Sequence, residues 1–197
     1  MSGLDGSDEL IMGEPARDCI GLVEFNSIGV GIEAADAMLK VSEVELVVAK
    51  TVCPGKYICL VQGDVAAVQS SVHAGVAKGA ETVVDEMILP RVHQSVFPAI
   101  NATSAVEEIQ ALGIIETFSV ASSIQAADAA AKAAKVTLIE VRLAVGLGGK
   151  SFVTLTGEVA AARAAVEAGA AAVQPKGLLM RKVVIPAPKA ELVRSLL

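Results

Sequence analysis

The 197-residue sequence lacks several features on which whole classes of function depend. It has no Trp and only 3% aromatic residues, and its acidic side chains outnumber the basic ones, giving a net charge of −6. A nucleic-acid partner is therefore not expected, because such proteins present basic surfaces to the phosphates. No apolar run reaches the roughly 18 to 20 uninterrupted residues that a membrane helix needs, so no membrane partner is expected either.

Two further absences concern compartment and catalysis. The acidic start of the chain is unlike a secretory signal, and we expect a cytoplasmic protein. In a reducing cytoplasm the three cysteines, Cys19, Cys53 and Cys59, are expected to remain unpaired. No paired carboxylates and no Ser/His/Asp set indicate hydrolysis, so the sequence does not predict an enzyme.

Apolar side chains, in contrast, are abundant. They make up 53% of the sequence, whereas charged residues make up 19%. Obligate subunit interfaces resemble a domain core cut in half, so this excess predicts extensive contacts between subunits.

The main organising feature is an internal repeat. Residues 20–40 match residues 112–132 at an offset of 92, and two extra residues precede Lys150, which aligns with Lys56. A period this long indicates duplicated domains rather than a solenoid. We predict a mobile N-terminal tail at 1–18, a first domain at 19–104 and a second at 105–197. The identical pairs include Gly21/Gly113, Glu24/Glu116, Ser27/Ser119, Ile32/Ile124, Asp36/Asp128 and Lys40/Lys132.

Each repeat predicts the same order of elements. A β-branched strand is followed by a helix from Ile28, two further strands, a helix capped by Asp64 and a last strand that ends at Pro90. This β-α-β-β-α-β order is the ferredoxin-like, α+β arrangement, with helices on one face of an antiparallel sheet. The predicted stripe of the first helix is Ile28, Ile32, Ala35 and Leu39, which Val120, Ile124, Ala127 and Ala131 repeat.

The loop Lys50–Lys56 between the two middle strands carries a cysteine. Pro54-Gly55 is a turn signal, so Cys53 is expected at the tip of a hairpin. A thiol there is either an idle surface cysteine or a ligand. Spacing alone favours the idle interpretation, because no Cys-x-x-Cys or nearby histidine supports a metal site.

Four segments carry a resemblance to a known family. They are Gly21-Leu-Val-Glu-Phe-Asn-Ser27, Glu33-Ala-Ala-Asp-Ala-Met-Leu-Lys40, Gly63-Asp-Val-Ala-Ala-Val68 and Leu89-Pro-Arg-Val-His93. In this order, and twice over residues 19–197, they resemble bacterial microcompartment shell proteins. The unpermuted tandem copies resemble those shell proteins that form pseudohexameric trimers. The Cys53 loop is similar to that of the iron–sulfur group found in propanediol-utilisation compartments.

The resemblance implies a structural tile in a microcompartment shell, with a pore on the three-fold axis of a homotrimer. It implies one [4Fe–4S] cluster per trimer, bound by Cys53 of three chains and used for electron transfer or cluster exchange. Lys50 and Lys56 then either offset the cluster's negative charge or merely line a solvated rim. Other shell proteins, and encapsulated redox enzymes, are the implied partners. The implied pore loops comprise Thr51, Val52, Cys53, Pro54, Gly55 and Lys56, with Val145, Gly146, Leu147, Gly148 and Gly149 in the second repeat.

The resemblance also places Lys40, Lys132 and Arg91 at the tile edge, whereas the second repeat has Ala187 where the first has Arg91. Two alternatives remain open. One is a cluster-free tile whose pore conducts small metabolites, and the other is a soluble oligomer that binds a small ligand.

Overall fold

The computed structural model describes residues 18–194. The predicted N-terminal tail lies outside the described residues, except for Asp18. The elements are β1 Cys19–Phe25, α1 Ile28–Val41, β2 Glu45–Val52, β3 Lys56–Gly63, α2 Val65–Gly79, β4 Val83–Leu89, α3 Val96–Ile100, β5 Ala111–Thr117, α4 Val120–Ala133, β6 Thr137–Arg142, β7 Ser151–Gly157, α5 Val159–Val173, β8 Leu179–Pro186 and α6 Ala190–Val193. Short 3-10 helices, Ala80–Thr82 and Gln174–Lys176, follow α2 and α5.

Each repeat forms its own antiparallel sheet of four strands. The strand order is β2-β3-β1-β4 in the first repeat and β6-β7-β5-β8 in the second. The two registers correspond, since Glu24 lies opposite Ile58 and Asp85 while Glu116 lies opposite Phe152 and Arg181. The predicted pair of tandem ferredoxin-like domains is confirmed.

Side-chain caps fix where three of the long helices begin. Ser27 accepts from the N–H of Val30, and Ser119 accepts from the N–H of Ser122, so the repeated serine has the same role twice. Asp64 accepts from the N–H of Ala67 at 2.8 Å, as predicted for the cap of α2. Each cap satisfies one of the free N–H groups of a first helical turn.

The face of α1 that packs on its own sheet differs from the predicted stripe. Gly31, Ala34, Ala35 and Met38 are buried, whereas Ile28 and Ile32 are 39% and 53% exposed. The prediction was therefore wrong for most of α1. The reason is that the helix has two apolar faces, and the small residues pack on β1 and β3.

The same stripe is buried in α4, because the first repeat covers it. Val120, Ile124, Ala127 and Ala131 belong to one large core that also contains Leu22 and Leu60 of the first sheet. Helix α4 thus lies against the outer face of the first sheet, while α1 and α2 cover its inner face. The chain folds as two repeats in contact through one apolar junction.

The connection between the repeats contributes to that core. Val96 and Ala99 of α3 are buried, and α3 packs against β6 of the second repeat. The domain limits at 104 and 105 therefore remain a prediction, because a helix assigned to the first domain packs on the second. No helix within residues 18–194 is long and apolar enough to cross a membrane.

Candidate functional site

Cys53 lies where the β2–β3 hairpin turns. The last ladder pair is Val52 with Lys56, and Cys53 is half-buried just beyond it. Pro54 and Gly55 at the tip are exposed, and Gly55 has a φ of +73°, which glycine adopts without strain. The sequence therefore correctly predicted a hairpin with its thiol at the tip.

The other predicted loop residues divide into exposed and buried groups. Thr51 is exposed, whereas Val52 points into the core and is 5% exposed. In the second loop Val145, Gly146 and Gly148 are exposed, Leu147 is half-buried and Gly149 is buried. Val52 thus anchors the turn end of the hairpin in the core instead of presenting an exposed side chain.

The structure brings the two predicted loops together within one chain. The N–H of Cys53 donates to the carbonyl of Ala144 at 3.0 Å, and the N–H of Gly146 donates to Cys53 Sγ at 3.4 Å. A backbone donor of the second loop is thus directed at the sulfur of the first. The second loop lacks a cysteine, yet it supplies a donor to the cysteine of the first.

Glycine permits the close approach of the two loops. A Cβ on Gly149 would lie 2.8 Å from Pro54 Cδ, and the φ of Gly149 is +88°. Gly146 and Gly148 also have positive φ but have open space around them. The loop runs directly into β7 rather than into a helix, so it lacks the helix N-terminus of a phosphate cradle.

The other two thiols are unsuited to binding a ligand. Cys19 and Cys59 are fully buried. Burial raises the pKa of Cys59 to about 12. The pKa of Cys19 is also raised, first by burial and then by the charges of Asp18 and Asp64. Within residues 18–194, no three His, Cys, Asp or Glu side chains of one chain gather as a metal site. Of the three thiols, Cys53 is the one that is partly accessible to solvent.

Glu24 forms a buried ion pair beside the loop that sequence reasoning did not assign. Its side chain is fully buried; Oε1 accepts from Lys56 Nζ at 2.8 Å and Oε2 accepts from the N–H of Val120 at 2.8 Å. One carboxylate thus links the β2–β3 hairpin to the start of α4 in the other repeat. The sequence did contain one indication of this role, because both repeats have a glutamate at this position, Glu24 and Glu116.

A second polar cluster at the junction is centred on Asp85 of β4. The carboxylate accepts from the hydroxyls of Ser119 and Ser122, both at the start of α4. Lys176, from the 3-10 helix after α5, pairs with Asp85 at 2.9 Å and also donates to the carbonyl of Glu86. An acidic strand residue is therefore matched by hydroxyl and cationic donors from the second repeat.

The predicted edge residues lie away from the loops, near helix ends and strand ends. Lys40 is exposed and pairs with Asp36, whereas Lys132 pairs with the buried Asp128, both at 2.6 Å. Asp128 Oδ1 also accepts from the N–H of His93, two residues after Arg91. The Arg91 turn and Lys132 are therefore neighbours.

Arg91 and Ala187 occupy the same turn in the two repeats. Each comes directly after a proline, Pro90 just beyond β4 and Pro186 as the last residue of β8, and the φ angles are +51° and +46°. The backbone of this turn is repeated although the side chain is not. The cationic group of the turn is consequently present only in the first repeat.

Comparisons with known proteins identify a family. The BMC domain matches residues 19–92 and 111–188. The chain is 44% identical over 177 residues to the bacterial microcompartment shell protein PduT of Citrobacter freundii, covering 90% of this chain and 96% of that protein. It is 45% identical over 84 residues to the shell protein EutM of Salmonella typhimurium, covering 43% of this chain and 85% of EutM. The crystal structure of a microcompartment protein from Desulfitobacterium hafniense is similar with a TM-score of 0.82 and 58% identity, covering 89% of this chain and 98% of that one.

Proposed function

Because the chain belongs to the BMC-domain family and is a bacterial microcompartment shell protein rather than an enzyme, we propose that three copies form a ring whose central loops hold an iron–sulfur cluster. The predicted family, fold and non-enzymatic role are confirmed. The homotrimer, the [4Fe–4S] cluster and its use for electron transfer or cluster exchange form the proposal.

The ring is supported by equivalent surfaces of the two repeats, of which one is buried within the chain and the other is exposed. Val120 and Ile124 of α4 are buried against the first sheet, whereas their counterparts Ile28 and Ile32 of α1 are exposed. A neighbouring chain whose second sheet covers α1 repeats the internal junction. Head-to-tail contacts of this kind form rings when the rotation closes. The count of three follows what the tandem-domain resemblance implies.

Glu116 supports the same arrangement. It stands at the position of Glu24 but is only half-buried within one chain. Glu24 accepts from the N–H of Val120, the first residue of α4; the corresponding group is the N–H of Ile28, the first residue of α1. The N–H groups of a first helical turn have no partner within their own helix. Glu116 therefore suits Ile28 of the neighbouring chain.

Cys53 carries the cluster proposal. Each chain offers one partly accessible thiol, at the tip of a hairpin and hydrogen-bonded by Gly146. Fe–S clusters are held by thiolates, and three chains supply three of them. The residues fit the group, since the exposed Gly55 and Gly146 have open space around them and let loops crowd one axis. A bound cluster would supply one-electron transfer.

Lys56 contributes less to this proposal than its position in the loop predicts. Its ammonium is matched by Glu24 within the chain, and its side chain is only 15% exposed. Lys50 is exposed, and it is the lysine of this loop suited to balance negative charge near the axis. A tile without a cluster, whose Cys53 only shapes a metabolite pore, is the competing function.

Stoichiometry tests the proposal most directly. We expect anaerobically purified protein to have the native mass of three chains and to contain about four irons and four sulfides per trimer. Trimers that bind no iron after anaerobic reconstitution would support the metabolite pore. A dominant monomer or dimer would contradict the ring itself.

The edge residues give a separate prediction. Changing Lys40→Asp together with Lys132→Asp should leave trimers intact but abolish two-dimensional sheets, because like charges across an interface oppose docking. Electron microscopy of concentrated protein measures sheet formation. The control is Arg163→Asp with Lys182→Asp, which makes the same change in charge at exposed positions. Unchanged sheets in the first variant would remove the edge assignment.

A further inference from the structure

The outer face of the first sheet is covered by the second repeat, whereas the equivalent face of the second sheet is left uncovered. The two faces differ in charge at one position. In the first repeat, Glu24 on β1 lies opposite Asp85 on β4. In the second repeat, Glu116 on β5 lies opposite Arg181 on β8. Arg181 therefore stands where Asp85 stands, and the carboxylate is replaced by a guanidinium. Arg181 is exposed in the single chain.

The group that meets this strand position also changes sign. Asp85 pairs with Lys176 of the 3-10 helix Gln174–Lys176, which follows α5. The corresponding 3-10 helix of the first repeat, Ala80–Thr82, follows α2 and carries the exposed Glu81. Lys176 is the last residue of its 3-10 helix and Glu81 is the middle residue of the other, so the anion stands one position earlier than the cation. The strand position and the 3-10 helix that meets it therefore both carry the opposite charge in the other repeat.

From these two changes of charge, and on the proposed ring, we infer that Arg181 of one chain pairs with Glu81 of the neighbouring chain. The pair at the junction between chains has the opposite polarity to the Asp85–Lys176 pair inside the chain. A wrong arrangement, with the first sheet of one chain against the helices of the first repeat of another, would bring Asp85 toward Glu81. Like charges juxtaposed at an interface disfavour such a pairing.

The hydroxyls around Asp85 are consistent with this reversal. Ser119 and Ser122 both donate to Asp85, and their counterparts at the start of α1 are Ser27 and Val30. A serine hydroxyl donates to a carboxylate or accepts from a guanidinium, so Ser27 suits Arg181 equally well. Val30 stands where the second repeat has Ser122. A guanidinium is itself a donor, so it does not need this second hydroxyl donor.

The surrounding apolar surface identifies the occupant as another copy of this chain. Leu22 and Met87, which flank Asp85's side of the first sheet, are covered by the second repeat. Their counterparts Ile114 and Val183 on the second sheet are only half-buried. The open sheet and the exposed stripe of α1 repeat the two sides of an interface that this chain already forms with itself.

A charge exchange tests the pair. Arg181→Glu and Glu81→Lys should each raise the dissociation constant of the trimer by at least about tenfold, as for close interfacial charge pairs. The combined variant Arg181→Glu/Glu81→Lys restores opposite charges and should return it to within a few-fold of the wild-type value. Sedimentation at a series of protein concentrations measures this, and circular dichroism checks that each variant is folded.

Lys182→Glu is the matched control. It makes the same charge change one residue along β8, on the opposite face of the sheet, where Lys182 pairs with Glu167 of its own chain. It should leave trimers unchanged. The inference is overturned if wild type is trimeric and both single variants associate as tightly, or if the exchanged variant is no better than either. A monomeric wild type would instead contradict the proposed ring.

Discussion

Replacing Cys53 with serine should yield colourless protein that still folds and assembles. Serine keeps nearly the volume of the thiol but supplies a poor ligand for iron, since clusters require thiolates. We expect iron to fall from about four atoms per trimer to background, with the visible absorbance lost. Iron and sulfide assays after anaerobic reconstitution measure the effect, and native mass confirms the assembly.

The other two thiols provide controls within the same chain. Cys19 and Cys59 are fully buried, and burial raises the pKa of Cys59 to about 12, so neither offers a thiolate near neutral pH. Cys19→Ala and Cys59→Ala should keep the wild-type iron content. If Cys53→Ser retains iron, the cluster is held elsewhere and the redox function proposed for this loop fails.

Replacing Glu24 with alanine should give a large loss of stability at the junction. The change leaves Lys56, 15% exposed, without its counter-ion and leaves the N–H of Val120 without its acceptor. Removing one member of a buried ion pair costs about 3–5 kcal/mol. Urea unfolding at one fixed protein concentration, with the cluster absent, measures the difference in the free energy of unfolding.

A second ion pair supplies the comparison. Asp36→Ala removes the partner of Lys40, but that pair is 60–73% exposed, and such pairs are worth about 0–1 kcal/mol. Lys56→Met should also be destabilising, and adding it to Glu24→Ala should cost less than the two changes summed, because the pair is then removed together. A Glu24→Ala protein within about 1 kcal/mol of wild type would contradict the role assigned to this carboxylate.

Much of the fold could be predicted from the sequence because the pattern of each element occurs twice, once in each repeat. Asp64 before α2 and the Pro54-Gly55 turn act on the backbone of neighbouring residues, and tertiary contacts do not override them. The family followed from segments that recur in order. These features depend on neighbouring residues, which a sequence displays directly.

The sequence did not reveal which apolar face of α1 lies inward. Ile28 and Ile32 have the spacing of a buried stripe, and in α4 that stripe is buried. A periodic pattern identifies an apolar face but not the surface that covers it, and here Met38 and small residues pack on the helix's own sheet. Glu24 was missed because its partners, Lys56 and Val120, are distant in sequence.

The asymmetry between the two loops has a consequence for symmetry itself. A ring of six identical single-repeat chains must present either six copies of a side chain at its axis or none. Joining two repeats in one chain lets one loop keep Cys53 while the other keeps Gly146 and Gly149. In the proposed trimer, a substitution in either loop occurs three times per ring, so the axis can carry three thiols that alternate with three backbone donors.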